Sequence, residues 1–426
     1  MSDSSFLTRV VLSNYRSIAA CDVRLGPLTF LVGPNGSGKS SFLDALRFVT
    51  DGLRRSLDHA LRERGGMNEV RRRSGGHPTH FGVRLEFIVR SHLKHLATGA
   101  NIPPGLEELL FLSDIEGHYA FKIAARPQGG YEVQAEQCFL FDVASHERKA
   151  FFVVHEGQLS SSIPTPFAVQ PDRLTLVALS GIPAFRPVYD ALSNMGFYSL
   201  NPDRIRDLQS PDPGELLARD GSNLAGVLAR LVERDPRTKD RIEEYLSQVV
   251  PGVVGVDARQ IGPKETLEFR QQVAGSKAPW RFLAANMSDG TLRALGILVA
   301  LFQSALDPAR RVRLVGIEEP EVALHPAAAG ILRDSLRDAS SNTQIIVTSH
   351  SPDLLDDERI PADAILAVTA EAGTTRIGAL DEADRSALRD HLYTAGELLR
   401  LGALTPQRRE GVGPTRPPQL FDPVPA

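Results

Sequence analysis

The chain has 426 residues, of which 42% are apolar and 23% are charged. This is the composition of a folded globular protein, and it excludes disorder as the dominant state. Lysine and arginine number 48 against 52 aspartate and glutamate residues, a formal charge of −4, so a global basic field for a polyanion is excluded and only a local patch remains.

Alternating and periodic apolar residues predict the elements of the N-terminal part. Strands are predicted over residues 7–12, 21–25 and 28–32, followed by a glycine-rich turn and a helix after Gly38. Residues 54–76 are rich in arginine and glycine and predict a mobile, solvated loop. Strand-like runs then indicate a β-rich arm, at residues 82–89, 119–124, 131–134 and 151–154.

The later part of the chain is predicted to be helical at first and then to alternate between helices and strands. Helical patterns over residues 224–231 and 242–249 indicate a helical lobe. Helix 291–306, strand 312–317, helix 327–339 and strand 343–348 form a second βαβ half. The last 22 residues hold six prolines and predict disorder.

These patterns predict an α/β fold divided into five segments. They are the first part of a head domain (1–53), the arginine-rich loop and β-rich arm (54–202), the helical lobe and connection (203–280), the second part of the head (281–404) and a disordered tail (405–426).

Cysteine usage and the apolar runs point to a reducing cytoplasm. Cys21 and Cys138 are far apart and match no metal or redox spacing, so neither a disulfide framework nor a zinc site is expected. The longest apolar stretch, residues 294–306, is shorter than the ~20 residues that span a bilayer. No export signal is visible at the N-terminus. We therefore predict a cytoplasmic protein without a membrane partner.

A phosphate-binding loop is the strongest motif in the sequence. The pattern G-x-x-x-x-G-K-[ST] is satisfied after a predicted strand and before a predicted helix, by Gly33-Pro34-Asn35-Gly36-Ser37-Gly38-Lys39-Ser40. The backbone N–H groups and the helix N-terminus would hold phosphate, Lys39 would contact the β- and γ-phosphates, and Ser40 would bind Mg²⁺. Ser41 completes the predicted site for ATP and Mg²⁺.

Carboxylates follow the buried strand 312–317, in the run Glu318-Glu319-Pro320-Glu321. Ligands of open α/β sheets bind at this edge, so we assign Glu318 to the metal shell and Glu319 to the base or water-orienting role. A solvated acidic turn is the alternative, and the phosphate loop in the same chain makes it the weaker one.

Two histidines are also candidates for the site at this edge of the predicted sheet. His350 comes directly after strand 343–348 and is predicted as a γ-phosphate sensor. His325 has a weaker claim and is expected to cap or pack the helix near Pro326.

The segment Asn286-Met287-Ser288-Asp289-Gly290-Thr291-Leu292-Arg293 precedes a long apolar helix, as the signature motif of ABC-type ATPases does. Together with the phosphate loop, residues 317–326 and 348–352, it resembles the RecF/SMC/OLD-like branch of ABC-type ATPases. The stretch Ser13-Asn14-Tyr15-Arg16-Ser17-Ile18 is similar to the entry strand of that branch. The resemblance covers about residues 5–50 and 280–355.

This resemblance implies an ABC-type P-loop ATPase head. It also implies a homodimer, or a larger even-numbered oligomer, in which Ser288 and Gly290 clamp the γ-phosphate of ATP held by the other subunit. Asp289 replaces the second signature glycine, and Glu318 replaces the usual metal aspartate. The Q-loop glutamine is not identified, and Gln158 and Gln170 are its candidates.

Several OLD-like relatives carry a TOPRIM nuclease module after the ATPase, and such a module is not expected here. The acidic residues after His350 lack its spacing: Asp353, Asp356 and Asp357.

The leading hypothesis is an ATP-hydrolysing dimeric switch that acts in DNA repair or in defence against foreign DNA. The residues that could contact DNA phosphates, with a solvated loop as the equal alternative, are Arg54, Arg55, Arg71, Arg72 and Arg73. A second hypothesis is an ATP-dependent regulatory subunit that controls an effector protein without binding DNA. The third, a transporter motor, is disfavoured by the long insertion and the Ser-Asp-Gly signature.

Overall fold

The computed structural model describes residues 5–74, 78–90, 114–165, 167–303, 311–407 and 418–423. Within these ranges the chain forms sixteen strands: β1 Leu7–Tyr15, β2 Ile18–Arg24, β3 Leu28–Val32, β4 His80–Val89, β5 Ile115–Ala125, β6 Tyr131–Asp142, β7 Arg148–His155, β8 Gln158–Ser161, β9 Gly196–Tyr198, β10 Val253–Ile261, β11 Lys264–Gln271, β12 Trp280–Leu283, β13 Leu314–Glu318, β14 Gln344–Ser349, β15 Ile365–Glu371 and β16 Thr374–Ala379.

Helices within the same ranges are α1 Lys39–Arg54, α2 Leu57–Arg62, α3 Met67–Val70, α4 Thr175–Leu179, α5 Arg186–Ser193, α6 Pro202–Arg206, α7 Leu224–Arg234, α8 Pro236–Val249, α9 Asp289–Phe302, α10 Ala329–Ser340, α11 Pro352–Leu355, α12 Glu382–Arg389 and α13 Ala395–Arg400. No helix in the described part of the chain is long and apolar enough to cross a bilayer.

A mixed sheet of thirteen strands organises the described residues, in the order β8-β7-β6-β5-β4-β1-β2-β16-β15-β3-β14-β13-β9. Strands β15, β3, β14, β13 and β9 are parallel neighbours, whereas the strands from β8 to β2 pair antiparallel. The predicted βαβ half is confirmed, because β13 and β14 pair in parallel and α10 connects them. The predicted α/β class is therefore correct.

Two hydrophobic cores lie on opposite faces of this sheet. The apolar face of α1 packs into the first core through Phe42, Leu46 and Val49, with α4, α5 and the antiparallel strands. The second core holds α7 to α10. Strand β14 is buried along its whole length, as expected of a parallel strand covered by helices on both faces.

The arginine-rich segment after α1 is folded where the structure describes it, so the prediction of a mobile loop is wrong. Helices α2 and α3 bury Leu57, Leu61 and Val70 in the first core. The Arg64 side chain is fully buried and donates to Asp44 at 3.0 Å and Asp51 at 2.9 Å. Charged residues separate these apolar side chains in the sequence, so the apolar periodicity of the two short helices is hard to recognise there.

The lobe predicted as helical also contains strands. Beside α7 and α8, strands β10, β11 and β12 form a separate antiparallel sheet that contributes Val256, Leu267 and Phe269 to the second core. The strands of the predicted β-rich arm, β4 to β8, continue the main sheet through β1. The end of the predicted helix 291–306 lies outside the described residues.

The described part of the predicted disordered tail contacts the sheet. Leu420 lies against Gly82 of β4, where an added Cβ would come within 2.3 Å of Leu420 Cδ1. The Arg84 guanidinium donates to the Leu420 carbonyl at 3.2 Å and to Asp422 Oδ1 at 2.8 Å. The expectation of disorder is therefore wrong for residues 418–423.

We expect Asp422→Ala to lower the free energy of unfolding by about 1–3 kcal/mol, because it removes one of the two carboxylates that accept from the buried Arg84, the other being Glu86. Chemical denaturation followed by circular dichroism measures this loss. The matched control is Asp363→Ala, since Asp363 is 83% exposed and pairs with Arg385, and its effect should stay within about 0.5 kcal/mol. Equal effects of the two substitutions would show that the tail contact adds no stability.

Candidate functional site

Three neighbouring parallel strands end at one edge of the sheet and bring the predicted site residues together. Strand β14 lies between β3 and β13, with Ser349 opposite Val32 and Thr348 opposite Glu318. The phosphate loop follows β3, His350 follows β14, and Glu319 follows β13. The carboxyl ends of adjacent parallel strands form the usual ligand crevice of an open α/β sheet.

Lys39 occupies the interior of the phosphate loop and is 4% exposed. Its ammonium donates to the carbonyls of Gly33 at 2.8 Å and Pro34 at 3.1 Å. Burial lowers the pKa of Lys39, while the charges of Glu319 and Glu321 act in the opposite direction. A buried cation whose acceptors are neutral carbonyls favours an incoming anion.

The hairpin of β15 and β16 contacts the phosphate loop. Thr375 Oγ1 of β16 lies 2.8 Å from the Ser37 carbonyl oxygen and 2.8 Å from Ser17 Oγ. Gly38 has a φ of 107°, and a Cβ there would come within 2.1 Å of Thr375 Oγ1. The motif glycine is therefore required both by its backbone conformation and by this close approach.

The loop fits a phosphate group. Residues 34–36 and Ser40 face solvent, and Ser41 Oγ lies 3.4 Å from Ser17 Oγ. The buried Ser37 hydroxyl finds no hydrogen-bond partner among the described residues. Together with Lys39 and the N-terminus of α1, these groups offer the donors that a triphosphate requires.

Glu319 and His350 contact each other at this edge. Glu319 Oε1 lies 3.2 Å from His350 Nδ1, and their side chains are 35% and 39% exposed. The Glu319 N–H donates to the Thr348 carbonyl at 3.0 Å and Oγ1 at 3.2 Å. The pair is accessible to a substrate while its backbone is fixed to β14.

Glu321 is a site residue to which the sequence reasoning gave no role. Its Oε1 accepts a hydrogen bond of 2.6 Å from Ser349 Oγ, which in turn accepts from the Ser351 N–H at 3.0 Å. Its buried Oε2 has no partner among the described residues. The position of Glu321 in the run Glu318-Glu319-Pro320-Glu321 is the sequence signal that could have identified it. Its partner Ser349 was not predicted as a site residue either.

Ser40 and Glu318 are the residues that could hold Mg²⁺. A hydroxyl and a carboxylate are hard oxygen donors, which suit this ion when phosphate oxygens complete its shell. Glu318 Oε1 lies 3.5 Å from the exposed Arg219 guanidinium. In the described ranges, no group of three or more His, Cys, Asp or Glu side chains is placed to bind a metal.

The signature segment begins α9. Ser288 is its exposed N-cap, and Ser288 Oγ accepts from the Thr291 N–H at 3.3 Å. Gly290 packs on the turn after β13, where an added Cβ would come within 2.6 Å of the Ala323 carbonyl oxygen. Asp289 is ion-paired with Arg206 of α6. An exposed serine hydroxyl at a helix N-terminus suits an anion.

Comparison with known proteins gives matches to AAA domains and to RecF. The family described as "AAA domain, putative AbiEii toxin, Type IV TA system" matches residues 184–356, and an "AAA domain" family matches residues 9–99. The DNA replication and repair protein RecF of Vibrio vulnificus is 45% identical over 64 residues, and that of Vibrio cholerae is 44% identical over 64 residues. These matches cover 15% of this chain and 17% of each RecF.

Solved structures of SMC head domains share the fold over most of the chain. The SMC head bound to the C-winged helix domain of ScpA has a TM-score of 0.52 and 15% identity, and the match covers 89% of this chain and 99% of that one. The SMC head from Pyrococcus furiosus, bound to the C-terminal domain of ScpA, gives 0.52 and 11%, over 91% and 99%. The chain has a RecF/SMC-like, ABC-type ATPase fold.

Neither Q-loop candidate lies at the phosphate loop. Gln158 is in β8, the edge strand at the far end of the sheet from β3. Gln170 lies beside β6, where the next residue, Pro171, accepts from the Val133 N–H at 2.8 Å. The structure therefore brings neither glutamine to the site.

Most of the arginines considered for DNA contact have partners within the head. Arg55 pairs with Glu63 at 3.5 Å, and Arg73 pairs with Glu69. Arg71 donates to the Pro78 carbonyl at 3.1 Å, and Arg72 donates to Thr374 Oγ1 at 2.7 Å. Arg54 is exposed at the end of α1.

The remaining candidates have structural contacts. His325 Nδ1 accepts from the Ala327 N–H at 3.1 Å, which confirms its predicted capping role. The acidic turn after His350 is paired with arginines: Asp357 with Arg333, Arg337 and Arg359, and Asp353 and Asp356 with Arg400. Cys21 and Cys138 are buried, and neither forms a disulfide among the described residues.

We expect Lys39→Met to weaken ATP binding by about 10- to 100-fold, because it removes a charged donor to the phosphates. Without nucleotide its melting temperature should equal or exceed that of the wild type, since a buried charge is replaced by an apolar side chain. Calorimetric titration and thermal melts with and without ATP measure both effects.

Lys264→Met is the matched control for this substitution, because Lys264 is a partly exposed lysine remote from the phosphate loop in sequence, and its ammonium donates to Ser210 Oγ at 2.8 Å. It should preserve the ATP-induced rise in melting temperature. An undiminished rise in Lys39→Met would contradict the placement of the phosphates at Lys39.

Proposed function

We propose that the chain binds and hydrolyses ATP and acts as a switch in which two copies enclose two ATP molecules. The observation that carries this proposal is the contact between Glu319 and His350 at the sheet edge that also bears the phosphate loop. A carboxylate, a histidine and a phosphate cradle at one edge are the groups that phosphoanhydride hydrolysis requires.

Each residue has a role set by its contacts. The loop N–H groups and Lys39 bind the phosphates, and Glu319 orients the attacking water and accepts its proton. His350 holds the Glu319 carboxylate through their hydrogen bond. From this position it would face the γ-phosphate. Ser40 and Glu318 would hold Mg²⁺ together with the nucleotide, and the ion would neutralise part of the phosphate charge.

The exposed start of α9 supports the dimeric part of the proposal. Ser288 and Gly290 would clamp the γ-phosphate of ATP held by the second subunit. Since ATP has the γ-phosphate that both subunits contact and ADP lacks it, ATP favours the closed dimer. Hydrolysis then opens the dimer and changes the contacts made by the rest of the chain.

Duplex DNA is the proposed target of the switch, in repair or in defence against foreign DNA. The likeness to the DNA replication and repair protein RecF supports this target. The second candidate is control of an effector protein. It is favoured by the internal pairing of Arg55 and Arg73, which leaves fewer cations for phosphates, and by the SMC head solved with a bound protein domain.

We expect wild-type ATP turnover to rise with linear duplex DNA at low salt and to lose this rise at higher salt, because phosphate contacts release counterions. Glu319→Gln should lower turnover about 100-fold or more, with little change in ATP affinity, because the amide cannot accept the proton. Phosphate release measured with and without DNA at two salt concentrations gives both results.

Glu382→Gln is the control for that experiment, since Glu382 is 69% exposed on α12. Wild-type turnover in Glu319→Gln would overturn the role of Glu319. If DNA does not change ATP turnover at either salt concentration, control of an effector protein becomes the favoured function. Copurification of a protein in a fixed ratio would then identify that effector.

A further inference from the structure

The turn after β13 has an unusual backbone. Glu319 and Ala323, neither of them glycine, have φ values of 44° and 67°. Side chains disfavour this left-handed region, so such residues persist where neighbouring groups determine the conformation. The group that holds the turn therefore also sets the direction of the Glu319 carboxylate.

The first two turns of α9 contact this backbone at both strained residues. Gly290 packs against the Ala323 carbonyl, leaving no space for a Cβ. Arg293, one helical turn later, donates from its guanidinium to the Glu319 carbonyl at 3.2 Å and lies 3.5 Å from the Glu318 carbonyl. The backbone N–H of Glu319 is held from the opposite side by Thr348.

Arg293 lies in an environment that favours this contact. Its side chain is partly buried, and burial lowers its pKa while Glu321 and Glu319 oppose that effect. The guanidinium thus lies among the carboxylates of the site and bonds the backbone of the turn. Ser288 is the N-cap of α9 and Arg293 is its fifth residue, so they belong to one helix start and move together as a rigid element.

We infer that Arg293 is a positioning residue that couples the signature segment of a subunit to the Glu319 of the same subunit. The inference rests on the proposed function, in which Ser288 contacts ATP held by the partner. Engagement of the partner's ATP fixes the start of α9, and Arg293 then fixes the Glu319 turn. ATP in one site consequently promotes hydrolysis in the other, because each subunit contributes to both sites.

The test compares Arg293→Gln and Arg293→Lys with the wild type over a range of ATP concentrations. In Arg293→Gln we expect a turnover loss of at least about tenfold, because a misplacement of about 1 Å is costly for an oriented reacting group. Its ATP affinity, measured by calorimetry, should stay within about twofold, since Lys39 is untouched. The wild-type dependence on ATP should be sigmoidal, and that of Arg293→Gln hyperbolic.

Rescue and control variants separate coupling from a merely structural role. Arg293→Lys keeps a donor and a positive charge and should restore part of the turnover and of the sigmoidal dependence. Arg389→Gln, the same change at a residue that is 66% exposed on α12, should behave as the wild type does. Thermal melts of all variants identify loss of folding.

The outcomes distinguish this inference from the function on which it rests. A wild type that neither hydrolyses ATP nor dimerises with it contradicts the proposed function. A wild type that does both, together with an Arg293→Gln variant of equal turnover and equally sigmoidal dependence, overturns the coupling role and leaves the proposed function intact. Lost turnover with an unchanged sigmoidal dependence also overturns the coupling, because Arg293 would then act within one site.

Discussion

The buried ammonium of Lys39 is the interaction around which the site is arranged. Moving a cation out of water is costly, and the carbonyls of Gly33 and Pro34 compensate only with partial charges. The carboxylates of Glu319 and Glu321 add longer-range stabilisation, since both oppose the lowering of the lysine pKa. A phosphate oxygen would replace two dipoles with a full negative charge, so the loop gains most from an anionic ligand.

That charge can be held because remote parts of the chain close on the loop. Gly33 approaches Val368 of β15 so closely that a Cβ would lie 2.0 Å from its carbonyl, and Gly38 approaches Thr375 of β16 in the same way. The hydrogen bond from Thr375 to Ser37 spans 338 residues of sequence. The phosphate loop is thus local in sequence, whereas the surface that shapes it comes from the other end of the chain.

Sequence reasoning succeeded where a pattern is local and failed where partners are distant. Strand β3, the start of α1 and the β13–α10–β14 unit were predicted, because buried runs and a glycine motif mark them directly. Strand β16 and its Thr375 were not predicted, since its burial is irregular along the strand. The packing of Leu420 was not predictable from the sequence either, because it contacts the backbone of a glycine, Gly82, and not another apolar side chain.

The charges at the sheet edge explain why a second subunit would belong to the site. Glu318, Glu319 and Glu321 lie close to cations, of which Arg219 contacts Glu318 while Lys39 and Arg293 interact with the other two. These opposite charges offset one another before nucleotide binds, so a triphosphate adds negative charge that one subunit neutralises incompletely. Mg²⁺ and another source of positive potential would be needed to neutralise the remaining charge. The exposed N-terminus of α9, at Ser288, is such a source. These charges are the electrostatic basis of the proposed closure of one head on a second one around ATP.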